Sequence, residues 1–127
     1  MHIKEVLAKY NELASFNEME LKDPNQIGLD EDAPIHVACR MGELEDVEIM
    51  VSAGADINLI GDIGNTPLHE AAIRGNLMVV KRLIELGASP RIKNEFGQTA
   101  RDVAEIGKFD EIATILKKAE LVSETEK

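Results

Sequence analysis

The sequence of 127 residues has no tryptophan, one tyrosine (Tyr10) and three phenylalanines (Phe16, Phe96, Phe109). Its core must therefore be filled by Leu, Ile, Val, Ala and Met, and a small aliphatic core of that kind points to packed helices. Cys39 is the single cysteine, which excludes an internal disulfide framework and any zinc site built from several cysteines. No run approaches the roughly 18 apolar residues needed to cross a bilayer, and residues 1–6 (Met-His-Ile-Lys-Glu-Val) open no signal-peptide core, so a cytoplasmic chain is expected. Bases are scarce in the first half. Residues 1–65 hold fourteen acids against four bases (Lys4, Lys9, Lys22, Arg40), whereas residues 66–127 hold ten of each, so the net charge of −10 belongs to the first half. Affinity for a phosphate backbone or an anionic membrane comes largely from Lys and Arg, so neither nucleic acid nor a membrane surface is an expected direct ligand. A basic protein partner fits.

The length suits one domain. Half of the fourteen acids fall in two clusters, Asp30-Glu31-Asp32 and Glu43, Glu45, Asp46, Glu48, and runs of this kind ordinarily form solvated surface.

A period of 33 residues organises the chain. Laying residues 33–65 on 66–98 gives nine identities: Pro34/Pro67, His36/His69, Ala38/Ala71, Gly42/Gly75, Leu44/Leu77, Val47/Val80, Gly54/Gly87, Ala55/Ala88 and Gly64/Gly97. The period runs on through Thr99 and Ala104, with Asp102 in place of the histidine, and back to Asp23 and Asn25. One domain over 1–127 then divides into a cap helix with the first hairpin (1–32), two repeats (33–65 and 66–98) and a C-terminal capping repeat with a tail (99–127). Within a repeat, Thr66-Pro67 is a helix start, because threonine caps free amides and proline tolerates the first helical position. Gly75 ends that helix, and Leu77, Val80, Leu83 and Ile84 mark the apolar stripe of a second one, which Gly87 ends. Residues 88–98 carry turn residues and no stripe, which predicts a projecting hairpin loop.

Gly64-Asn65-Thr66-Pro67-Leu68-His69-Glu70-Ala71-Ala72, with Gly75-Asn76-Leu77 and Leu83-Ile84-Glu85-Leu86-Gly87-Ala88, resembles an ankyrin repeat almost position for position. The first full repeat departs from the pattern at Ala33, where threonine is usual, and at Glu31, where the hairpin glycine is usual. The resemblance implies an all-α solenoid of stacked helix pairs with projecting hairpins. It covers about residues 23–120. The stripe Ile3, Val6, Leu7, Tyr10, Leu13, Phe16 predicts one amphipathic cap helix, and Leu121 to Lys127 reads as a frayed polar tail.

Catalytic chemistry finds little support. His36 and His69 share one repeat position, which predicts a structural bond to backbone between units. A metal bridge between them would need further ligands that the sequence does not offer. Cys39 aligns with Ala72 and reads as a small core residue. The glycines follow helices rather than strands, so no phosphate loop forms. The expectation is a chain with no enzymatic activity, no cofactor and no metal.

The resemblance places the partner-binding surface on the hairpin tips and inner helices. For the second repeat these positions are Ile60, Asp62, Ile63, Asn65, Ile73 and Arg74. One period earlier they are Ile27, Leu29, Asp30, Asp32, Arg40 and Met41, and one period later Lys93, Glu95, Phe96, Gln98 and Ile106. Several are large and apolar where a merely soluble repeat carries polar residues, and Asp30, Glu31, Asp32, Asp62 and Glu95 would rim them. The expected function is occlusion of one basic protein partner by an acidic face, as in an immunity protein that neutralises a toxin such as a nuclease. The expected assembly is a monomer or a heterodimer with that partner. A scaffold that tethers without inhibiting is the alternative.

Overall fold

The computed structural model describes residues 2–13, 16 and 20–125. Seven helices follow one another: α1 (Ile3–Asn11), α2 (Pro34–Met41), α3 (Leu44–Ser52), α4 (Pro67–Ile73), α5 (Leu77–Glu85), α6 (Ala100–Ile106) and α7 (Asp110–Thr125), with no strand among the described residues. None of the helices is long and apolar enough to cross a membrane.

Local chemistry sets the helix ends. At the start of α4 the Thr66 hydroxyl accepts the His69 amide at 3.3 Å while His69 Nδ1 accepts the Thr66 amide at 3.1 Å, so two amides left free at a helix start are satisfied reciprocally. Thr99 and Asp102 repeat the arrangement at α6. Gly75 follows α4 with φ +71°, and a Cβ there would lie 2.6 Å from the Phe109 ring, so both the backbone turn and the close approach require glycine.

The helices form two layers. α2, α4 and α6 pack successively in an inner layer, and α1, α3, α5 and α7 in an outer one. Between them lie Ile35, Leu68, Val47, Met50, Val80, Leu83 and Leu116, all fully buried. Each contributes about 2 kcal/mol by leaving water, so this aliphatic seam dominates the stability of the stack.

The two ends differ from the sequence expectation. The cap helix stops at Asn11, before Leu13 and Phe16, because the Asn11 side chain turns to accept the Leu21 amide at 2.8 Å. Phe16 is nonetheless fully buried. The 33-residue period would put an outer helix at 11–19, so α1 reaches its outer-layer place against α3 from an earlier stretch of chain. At the other end, the expected frayed tail is helical through Thr125. Glu120 anchors it by accepting Arg101 at 3.2 Å through its carboxylate and Arg91 at 3.0 Å through its carbonyl. Residues 126–127 of that expectation lie outside the described residues.

Candidate protein-binding face

Each hairpin closes with the same backbone bond: Gly28 to Asp32 (2.8 Å), Gly61 to Asn65 (2.9 Å) and Asn94 to Gln98 (2.9 Å), donor named first. Neighbouring hairpins are then tied together. The Asp62 amide donates to Asp32 Oδ1 (3.0 Å), the Glu95 amide to the Ile63 carbonyl (2.9 Å), and Asn94 Nδ2 to Asn65 Oδ1 (3.0 Å).

The histidines fasten these hairpins to the inner helices. His36 Nε2 lies 2.7 Å from the Leu59 carbonyl and His69 Nε2 lies 2.8 Å from the Gln98 carbonyl. A carbonyl only accepts, so both Nε2 atoms carry the proton and both Nδ1 atoms accept the amide at their own helix start, Ala33 for His36 and Thr66 for His69. Burial lowers the His69 pKa from its ordinary 6.5, which keeps the ring neutral. The repeated structural bond expected of this position is what the geometry shows. Asp102 holds the position in α6, where no described hairpin follows; it caps the helix but has no N–H to donate onward.

The tips carry unusual backbone. Glu31 (φ 70°), Gly64 (φ 78°) and Gly97 (φ 73°) occupy the same left-handed step of successive hairpins, so Glu31 adopts a conformation that its neighbours reserve for glycine. Ile63 is also left-handed, with φ 52°. For a β-branched side chain that costs on the order of 1–2 kcal/mol.

Of the residues assigned to the face by resemblance, Leu29, Met41, Ile60, Ile63, Ile73 and Phe96 are exposed, as are Ile27 and Ile106; Leu29 reaches 72% and Phe96 69% exposure. Asp30, Glu31, Asp62 and Glu95 are exposed among them, together with the bases Arg74 and Lys93. Three assignments need correction. Asp32 is buried because it accepts both the Asp62 amide and Arg40. Asn65 is buried because it closes its hairpin and receives Asn94. Arg40 keeps a partly open side chain but is committed internally, to Asp32 and, at 2.8 Å, to Glu70. The rim is therefore Asp30, Glu31, Asp62 and Glu95 without Asp32.

Glu70 is a residue that sequence reasoning missed. It is buried in α4, where the preceding repeat has Val37, and its carboxylate stays satisfied because Arg40 from the unit before reaches it. Both carboxylates in turn push the Arg40 pKa further up, Glu70 foremost. Asp46 follows the same rule. Grouped by sequence with solvated acids, it is buried, accepting Tyr10 Oη at 2.9 Å and Lys9 Nζ at 2.9 Å. Burial and that bond push the Tyr10 pKa up. The signal was available in the period, since Asp46 and Glu70 replace valines (Val79, Val37) at equivalent core positions. A buried acid at such a place calls for a buried donor.

Burial pushes the Cys39 thiol pKa up, away from the nucleophilic thiolate. Among the described residues, no group of His, Cys, Asp and Glu is placed to hold a metal. None of the curated proteins compared with the chain matches it. The model of a family described as ankyrin repeats (3 copies) matches residues 4–94 and 35–124, and the chain belongs to that family of protein–protein interaction modules.

Proposed function

We propose that the chain is a non-enzymatic inhibitor that seats one basic protein partner on its hairpin and inner-helix face and acts by covering the partner's functional site, as an immunity protein covers a toxin. The observation that carries this reading is the set of exposed apolar side chains, Leu29, Ile60, Ile63 and Phe96, standing beside the carboxylates Asp30, Glu31, Asp62 and Glu95. Apolar anchors of this size supply binding energy when a partner desolvates them, and flanking charges steer and orient the encounter. A nuclease that grips phosphate through a basic cleft has the complementary charge, and blocking that cleft needs no chemistry from the blocker. The complex is one chain with one partner, formed in the cytoplasm.

Co-purification from source cells, followed by assay of the captured enzyme, tests the reading. A basic enzyme should lose activity in proportion to complex formed, and the complex should weaken as salt rises. Full activity in the complex would overturn occlusion and make the chain a tether.

A further inference from the structure

At the C-terminal end of the inner helices, one side chain closes the gap between successive units. Asn76 donates to the carbonyls of Cys39 and Arg40 at 2.7 and 2.9 Å and so joins the end of α2 to the unit that follows. One period earlier Glu43 holds that place, and among the described residues no inner helix precedes α2. A carboxylate has no N–H to donate, and here it has no helix end to meet. Glu43 is exposed and takes part in no hydrogen bond or ion pair among the described residues. Beside it opens a cleft of about 180 Å³, lined by Lys9, Tyr10, Leu13, Met41, Glu43 and Asp46.

The lining divides by chemistry. Met41, Leu13 and Tyr10 supply apolar walls, and Met41 is 56% exposed. Asp46 is buried and already accepts Tyr10 Oη and Lys9 Nζ, which leaves Glu43 as the unpaired carboxylate of the cleft. The Lys9 pKa is raised, by Asp46 foremost and then by Glu43 and Glu45, so three carboxylates face a single ammonium and the local charge stays negative. The end of α2 acts in the same direction, because Met41 is its last residue and a helix C-terminus carries partial negative charge. An anionic group would be repelled from such a place. A purely apolar side chain would cover the walls but strip water from Glu43 without replacing its hydrogen bonds. A long basic side chain meets both conditions, since its stem packs on apolar surface while its charged head reaches a carboxylate. The cleft has the space of about six waters at ~30 Å³ each, room for one such side chain.

Resting on the reading above, we infer that the cleft receives one lysine or arginine side chain of the partner, its stem against Met41 and Leu13 and its head on the Glu43 carboxylate. Met41 already belongs to the face proposed for the partner, so a protein seated there reaches the cleft directly. The grip is distinct from the hairpin carboxylates Asp30, Glu31, Asp62 and Glu95, none of which lines it.

Three small probes test this on the intact chain: the N-acetyl methylamides of lysine, arginine and norleucine, the last with an uncharged side chain. Each is titrated while the methyl resonances of Met41 and Leu13 are followed by NMR. The two basic probes should saturate those shifts at concentrations at least about tenfold below the norleucine probe. Glu43→Gln should erase that preference. Glu45→Gln changes the same field without touching the cleft and should leave the preference within about twofold, and both variants should keep the parent circular dichroism. Equal saturation by norleucine would make the cleft an apolar slot and overturn the proposal, as would the absence of a saturable shift with any probe. Equal loss in both variants would reduce the effect to a diffuse field and also overturn it. Because the probes act without the partner, these failures strike the cleft alone, whereas full enzyme activity in the co-purified complex strikes occlusion and leaves the cleft as the grip of a tether.

Discussion

The units that begin at Ala33 and Thr66 share a backbone plan and hold it by different means. In the second, Thr66 and His69 complete a reciprocal cap and Gly64 takes the left-handed step of the hairpin. In the first, Ala33 has no side-chain acceptor, so only the His36 half of the cap survives, and Glu31 takes the left-handed step against its preference. What the first unit lacks locally it recovers from its neighbour. Arg40 joins Asp32 at its own hairpin to Glu70 on the next inner helix, and Asp32 in turn holds the Asp62 amide of the next hairpin. A repeat can therefore keep its shape after losing its signature residues, provided that the missing satisfaction arrives across the interface.

The largest effect that would test this contrast is Arg40→Leu. It strands two buried carboxylates, and urea unfolding should show a loss of about 3 kcal/mol. A loss no larger than that of an average surface substitution would break the claim that the first unit leans on the second. The triple variant Arg40→Leu, Asp32→Asn, Glu70→Gln, which removes the orphaned charges too, should recover part of the loss.

His69→Asn comes next. It forfeits the bonds to Thr66 and Gln98 and should cost about 2 kcal/mol near neutral pH. Because burial lowers the folded-state pKa below 6.5, the unfolded chain takes up the proton first. The stability that His69 contributes is then complete above pH 6.5 and drains away as pH falls from there toward the lower folded value. Unfolding free energies from pH 8 to 5 should fall less steeply for the variant than for the parent. Equal slopes would mean that the ring is not held neutral.

Smaller effects address the first unit's missing signatures. Glu31→Gly should stabilise by about 1 kcal/mol, since the exchange relieves a left-handed strain and removes only an exposed side chain. Ala33→Thr restores the hydroxyl found at Thr66 and should add about 1 kcal/mol or less. If neither raises the unfolding midpoint, the first unit is already as well satisfied as the second and the comparison loses its force.

Much of this architecture was legible in the sequence because it is periodic. Residues that recur every 33 positions, such as His36 and His69 or Gly42 and Gly75, do the same job in each unit, and one reading served for all. The exposed apolar tips were legible for the same reason, since Ile63 and Phe96 fall at one repeat position that the resemblance turns outward. What escaped was satisfaction between units. Asp32 and Asn65 occupy equivalent hairpin positions that look exposed along a single hairpin, and only the stacking of the next hairpin covers them. The tail escaped too, because the anchoring of Glu120 by Arg91 and Arg101 depends on tertiary placement that local polarity does not reveal.

On the proposed reading Ile63 joins stability to binding, because its left-handed backbone weakens the fold while its exposed side chain is one of the anchors proposed for the partner. The direct measurement is therefore to make Ile63→Asn together with Phe96→Ser and determine both the unfolding midpoint and the affinity for the co-purified partner. The account predicts a midpoint that is unchanged or raised, since asparagine tolerates the left-handed region, and an affinity reduced by at least about thirtyfold, as expected when interface anchors are lost. Undiminished affinity would show that these side chains do not hold the partner, and a collapsed midpoint would show that they hold the stack instead.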